Sequence, residues 1–236
     1  LTLFPEMFRG PLNESLLKKA QEKGLLALNL VDLRTFAPDK HKTADDTPYG
    51  GGAGMVMKVD VIATALGSLK NDAEQRIILM CPTGKALTQE KIKELAGVKH
   101  LTVLCGHYEG VDERVRELVD EEVSIGDYVL TGGEIPALVL VDAVVRQLPG
   151  VVKEEASVQN DSFYGGLLDH PSYTKPEEYE GEKVPAVLLS GHHAEIDRWR
   201  RKEALRKTLY NRPGLLASAA LTEDDKKLLA ELIQNG

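Results

Sequence analysis

Ser124-Ile-Gly-Asp-Tyr-Val-Leu-Thr-Gly-Gly-Glu-Ile-Pro136 joins an apolar run, three glycines and a helix start in one short stretch. Tyr128, Val129 and Leu130 form a run that can lie in a sheet. Gly126, Gly132 and Gly133 let bare backbone approach a ligand closely. Glu134 and Pro136 then open a helix, where proline suits the first turn. Upstream, Cys105-Gly-His-Tyr-Glu-Gly-Val-Asp-Glu-Arg114 also leaves an apolar run through glycines into a helix. Two such loops at the ends of neighbouring strands make a glycine-lined cleft, the usual ligand position in open α/β sheets.

Outward from these loops, strands are expected at 1–4, 28–33, 76–81 and 101–105. Helices are expected at 13–23 (Asn13 as N-cap), 59–69, 88–96 (capped by Thr88), 111–119 and 135–148. A strand that begins at residue 1 without Met is expected to have lost a few preceding residues. Strands alternating with helices predict an α/β fold with a largely parallel, doubly covered sheet. The segment 34–54 lacks apolar periodicity and reads as a long loop, a kind that is usually functional or mobile. Helix 135–148 is apolar nearly all round, which fits burial inside the chain or at a dimer interface. From 151 to 179, Gly165-Gly166, Pro171 and Pro176 replace periodic apolar residues, so this reads as an interdomain linker. Helices at 194–209 and 222–233, the second capped by Thr222, complete a small helical C-terminal domain. The division is therefore 1–150, 151–179 and 180–236.

Among 236 residues, 42% are hydrophobic and 28% charged, as in a globular protein with a real core. No apolar run approaches the length of a membrane span, and no leader precedes the first strand, so a cytoplasmic protein without a membrane partner is expected. Cys81 and Cys105 each end an apolar run and read as buried free thiols. A net charge of −8 argues against a nucleic-acid binder. The charge is segregated, however: seven Lys/Arg against three acids over 191–213, and seven acids against two arginines over 109–122. A local basic face can meet phosphates, and ordinary solvated helix faces fit the same pattern.

Gly50-Gly-Gly-Ala-Gly54 invites a phosphate-cradle reading, but neither a P-loop nor a dinucleotide fingerprint matches. Near Gly84-Lys85, Leu79 stands where a P-loop needs its first glycine, and Ala86 follows the lysine. Cys81-Pro-Thr-Gly-Lys85 is a third loop at a strand end. With Gly106 and Gly126 it can wall one pocket. No cysteine or histidine cluster has zinc-site spacing, and the adjacent His192 and His193 cannot share one helical face.

These loops resemble the bacterial tRNA (guanine-N1)-methyltransferase family of the SPOUT superfamily. The resemblance extends to Leu1-Thr-Leu-Phe-Pro-Glu-Met-Phe8, Pro48-Tyr-Gly-Gly-Gly-Ala-Gly-Met55, Asp161-Ser-Phe163 and Leu167-Leu-Asp-His-Pro-Ser-Tyr173. It continues through Val184-Pro-Ala-Val-Leu-Leu-Ser-Gly-His-His-Ala-Glu-Ile196 to Trp199. It implies a SPOUT domain with a trefoil knot, followed by a helical tRNA-binding domain. It also implies a homodimer with a shared active site, and S-adenosylmethionine and magnesium as cofactors, with no site assigned to the metal.

The resemblance further implies that the methyl donor sits among Met80, Pro82, Gly106, Tyr108, Glu109, Gly110, Ser124, Ile125, Gly126, Asp127, Tyr128, Val129, Leu130, Gly132, Gly133 and Pro136. Gly51, Asp169, Arg198, Arg201 and Lys202 would meet the tRNA. Asp161 and Arg146 match the family's catalytic pair. Guanine N1 carries a proton, which a carboxylate can accept as general base. Its loss moves negative charge onto O6, where a guanidinium can stabilise it. Read without the family, Arg146 is a charge at a helix C-terminus and Asp161 a turn residue. The other readings are a noncatalytic tRNA- or nucleotide-binding module on the same fold, or a SPOUT enzyme acting on another RNA atom.

Overall fold

The computed structural model describes residues 1–69, 74–153 and 161–234. They form two compact units, Leu1–Lys153 and Glu154–Gly236. Of the expected linker, residues 154–160 lie outside the described residues, as do the chain's last two.

The first unit is built on β3 (Gln75–Ala86), β4 (His100–Cys105) and β5 (Glu121–Ser124), parallel and ordered β4-β3-β5. Alternation along β3 explains why both faces are covered. Ile78 and Met80 enter one apolar cluster, with Ala137, Leu140, Val144 and Val145 of helix α5 (Glu134–Gln147) and Ile92 and Leu95 of α4 (Gln89–Ala96). Ile77, Leu79 and Cys81 face the opposite cluster, with Val61, Ile62, Ala65 and Leu66 of α3 (Val59–Ser68). Thr88 caps α4 by accepting the Lys91 N–H at 3.3 Å, as its sequence position predicts.

Several expectations are corrected at the edges. Residues 1–4 and 28–33 form no strand ladder; a single parallel bridge joins Thr2 to Asp32. Two helices are found here: α1 (Glu6–Leu12), which was not expected, and α2 (Ser15–Glu22), which is the helix expected at 13–23. Asn13 ends the first of them, its Nδ2 donating to the Arg9 carbonyl at 2.6 Å, instead of capping the second. The expected loop 34–54 begins in a 3-10 turn, Leu33–Phe36, and contributes β1 (Asp45–Asp46), paired with β2 (Val56–Met57). The helix expected at 111–119 is a 3-10 turn, Glu113–Leu118.

Strand β3 runs past its expected end, because the register shifts between Met80 and Lys85 and pairing with β5 then resumes. Residues 81–84 bulge from the strand, which re-aims their side chains. The run Tyr128–Leu130 lies outside the sheet. Strand β5 stops at Ser124, whose Oγ donates to the Gly126 carbonyl at 3.1 Å, and Gly126 turns the chain at φ +151°. Tyr128, Val129 and Leu130 are therefore exposed, Val129 by 85%.

The second unit carries β6 (Glu178–Tyr179) and β7 (Glu182–Lys183), then α6 (Ala186–Leu189), α7 (His193–Asn211) and α8 (Glu223–Gln234). Its core joins Leu205, Leu228 and Leu232 to Leu167, so the stretch around Leu167 is packed against these helices. Among the described residues no helix is long and apolar enough to cross a membrane.

Candidate functional site

Three segments at the C-terminal ends of the strands enclose a cavity of about 390 Å³ in the first unit: the β3 bulge, residues 106–111 after β4, and the end of β5 with the loop that follows it, residues 123–133. Their close approach depends on glycine. A Cβ at Gly84 would lie 2.5 Å from the Glu122 carbonyl carbon and the Val123 nitrogen, so the bulge rests on bare β5 backbone. A Cβ at Gly133 would lie 2.8 Å from Cys105 Cα, and the Gly133 N–H donates to the Gly106 carbonyl at 2.6 Å. Tyr108 takes φ +60°, uncommon for a residue with a side chain, and its hydroxyl accepts from Arg34 Nη2 at 3.2 Å.

Of the residues expected at the donor, Met80, Pro82, Gly106, Tyr108, Glu109, Gly110, Ser124, Ile125, Gly126, Tyr128, Val129, Leu130, Gly132, Gly133 and Pro136 line this cavity. Asp127 does not; it is exposed beside Gly126. Cys81, Thr83, His107 and Glu113 of the same quoted loops also line it, although none was singled out for the donor, and sequence reasoning missed Arg116 altogether. Arg116 pairs with Glu113 at 2.8 Å and with Glu122, and reaches toward Thr83 Oγ1 at 3.4 Å. Its two carboxylate partners raise the guanidinium pKa still further. An arginine three residues after an acid in the turn beyond the second loop was the available signal.

Among the described residues, no three His, Cys, Asp or Glu side chains gather as a metal site. The cavity lining fits S-adenosylmethionine. It joins apolar walls from Met80, Ile125 and Leu130 to turns of bare backbone, the setting in which an adenosine is held by main-chain groups.

Asp161 and Asp169 lie together in the second unit. They line a cavity of about 280 Å³ with His170, Asp197, Arg200 and Arg201. Ser162 Oγ accepts the Asp169 N–H at 2.9 Å, tying the Asp-Ser-Phe segment to the second acid. Arg146 belongs to the last turn of α5, in the first unit. Gly51 sits at an exposed turn with φ +80°.

The basic residues expected to meet phosphates have protein partners. Arg201 grips Asp225, Lys202 Nζ lies 3.0 Å from Glu231, and Arg198 is 3.9 Å from the same carboxylate. Trp199 stands 6.3 Å from the Tyr173 ring, an intra-unit packing contact. The apolar helix α5 buries Ala137, Leu140, Val144 and Val145 but leaves Ile135 and Val139 exposed one turn apart.

Comparison with known proteins yields a consistent set. Residues 1–218 match the family described as tRNA (Guanine-1)-methyltransferase TrmD. A tRNA (guanine-N(1)-)-methyltransferase of Desulforamulus reducens is 58% identical, covering 98% of this chain and 93% of the relative. Proteins of the same name from Bacillus pumilus (56%; 98% and 97%) and Dictyoglomus turgidum (54%; 98% and 94%) are similar over comparable lengths.

Proposed function

Because this chain belongs to the tRNA (guanine-1)-methyltransferase family, whose members use S-adenosylmethionine, we propose that it methylates N1 of guanine 37, beside the tRNA anticodon. The observation that carries this reading is the 390 Å³ cavity, where three strand-end loops bring together fifteen of the sixteen residues expected at the donor.

S-adenosylmethionine, when bound, supplies an electrophilic methyl group on a sulfonium. Backbone groups of residues 106–110 and 124–133 hold its adenosine, with Met80, Ile125 and Leu130 as apolar walls. Asp161 accepts the N1 proton of guanine, and Arg146 stabilises the charge that develops on O6. Extrusion of the base from its stack exposes N1 to these groups. Asp169, beside Asp161, supports the base, and the exposed loop at Gly51 approaches it.

Arg146 and Asp161 belong to different units, and in this reading they meet across a homodimer in which each protomer's Asp161 serves its partner's donor pocket. Ile135 and Val139, exposed one turn apart on the apolar helix α5, support that assembly. The strand order β4-β3-β5 is compatible with a trefoil knot around the donor loops.

The test is incubation with labelled methyl donor and tRNA, followed by digestion to nucleosides. Label in 1-methylguanosine from position 37 is the expected result. Label in a ribose-methylated nucleoside, or none at all, overturns the reading.

A further inference from the structure

Glu134 opens α5 with only 1% of its surface exposed. A carboxylate buried there needs partners, because an unpaired polar or charged group in the interior is costly. Thr2 Oγ1 donates to Oε1 at 2.8 Å, and Oε2 lies 3.4 Å from His107 Nδ1. Both contacts are long-range in the chain. One reaches the N-terminal segment, the other the loop after β4.

His107 is held on further sides. Its ring lies 4.6 Å from Phe4, whose N–H donates to Thr2 Oγ1 at 2.9 Å, and edge-on to Tyr108 at 4.9 Å. An antiparallel bridge pairs His107 with Gly132. A Cβ at Gly132 would collide with both His107 Nδ1 and Glu134 Oε2, so glycine at this position lets the pair form. His107 and Gly132 line the cavity, whereas Glu134 and Thr2 stand behind its wall. The helix N-terminus adds a favourable field for the carboxylate.

Resting on the reading of this cavity as the donor site, we propose that Glu134 is a positioning residue for methyl transfer. Through His107 and Thr2 it sets the spacing of the two glycine loops that receive S-adenosylmethionine. It touches neither donor nor base. Its loss therefore acts on donor binding more than on turnover at saturation.

Calorimetric titration with S-adenosylhomocysteine reads this directly, beside steady-state kinetics on tRNA. Glu134→Leu is expected to weaken binding and raise the donor KM by about tenfold or more, with kcat within about threefold of wild type. Glu134→Gln restores most of the loss, since its oxygen accepts from Thr2 Oγ1 and its amide nitrogen donates to His107 Nδ1 in the tautomer that carries its proton on Nε2. Thr2→Val, a near-isosteric change outside the cavity, is the second probe should Glu134→Leu not fold, and it too is expected to weaken binding. A folded Glu134→Leu or Thr2→Val protein with wild-type affinity overturns the proposal, as does failure of Glu134→Gln to rescue. Hydrogen exchange on the wild type separates this from the underlying reading. Protection of residues 105–110 and 124–133 by S-adenosylhomocysteine is expected, and its absence refutes the donor site whatever the variants do.

Discussion

Arg201 and Asp225 join α7 to α8 by a two-pronged contact, Nε to Oδ1 at 2.7 Å and Nη2 to Oδ2 at 2.8 Å. Asp225 also completes a reciprocal cap: Thr222 N–H donates to its Oδ2 at 2.8 Å, and its own N–H donates to Thr222 Oγ1 at 3.1 Å. One buried carboxylate thus starts a helix and fastens it to its neighbour. Asp225→Ala is expected to destabilise the second unit by about 2 kcal/mol, a figure held down by the partial exposure of Arg201. Urea unfolding followed by fluorescence of Trp199, the chain's one tryptophan, measures it. A midpoint equal to wild type would remove the cap and pair from the account.

The same residue sets an acid limit. The Arg201 guanidinium, with help from Thr222, holds the Asp225 carboxyl well below the usual carboxylate range. A depressed carboxylate contributes fully above its unfolded pKa, near 4, and loses that contribution as pH falls through the folded value. Stability of the second unit should therefore drop from about pH 4 downward, and Asp225→Asn should flatten that limb. Parallel curves for the two proteins would show that another group is responsible.

Gly84→Val should damage the proposed donor pocket. Its Cβ would meet β5 backbone, which cannot move aside as a flexible side chain does, so a loss of about 1–3 kcal/mol is expected, with weaker donor binding. Gly67→Ala is the contrast. That glycine lies within α3 with nothing within 4 Å of the added carbon, and the change should stabilise by about 0.5–1 kcal/mol. Thermal melts of both variants decide it; equal shifts would contradict the steric argument.

The two thiols should differ in reactivity. Burial pushes the Cys105 thiol up to about 12, so it stays protonated and inert at pH 8. Cys81 lines the 390 Å³ cavity and is partly exposed, its Sγ 3.0 Å from Thr83 Oγ1. In native protein a disulfide reagent should label one thiol, identified as Cys81 by peptide mapping, and S-adenosylhomocysteine should slow the labelling. Native labelling of Cys105, or no protection, would count against this arrangement.

Asp161→Asn should reduce kcat by about 10²–10⁴ if this carboxylate is the general base. Affinity for S-adenosylhomocysteine should stay within about threefold, because Asp161 is not among the residues lining the 390 Å³ cavity. Arg146→Ala should cost about 10²–10³ in kcat. Single-turnover rates with bound donor test both, and unchanged turnover in either variant would remove that residue's role.

Much of the first unit is legible locally. The strand and helix periods of β3, α4, β4 and α5 are visible in the residues, and Thr88 and Pro136 mark helix starts at 89 and 134. The glycine positions of the cavity are legible too, since each is a short motif following an apolar run. Tyr128–Leu130 misled because an apolar run says only that some surface may be covered, not by what. The turn at Ser124 and Gly126 takes these residues out of the sheet. Residues 194–209 show a cluster of basic charge, yet Asp225 and Glu231, which answer it, come from the next helix.

Read from the residues alone, alternation and helical period already specify a parallel sheet covered on both faces, and the ordered motifs already specify the family. Local pattern suffices for these because backbone geometry and apolar spacing act over a few residues. Three relationships needed the folded chain: the bulge seated on β5 at Gly84, the carboxylate of Glu134 reached by Thr2 and His107, and the Arg201–Asp225 grip. Each is a steric or polar match between segments far apart in sequence, and only packing brings such partners within bonding distance.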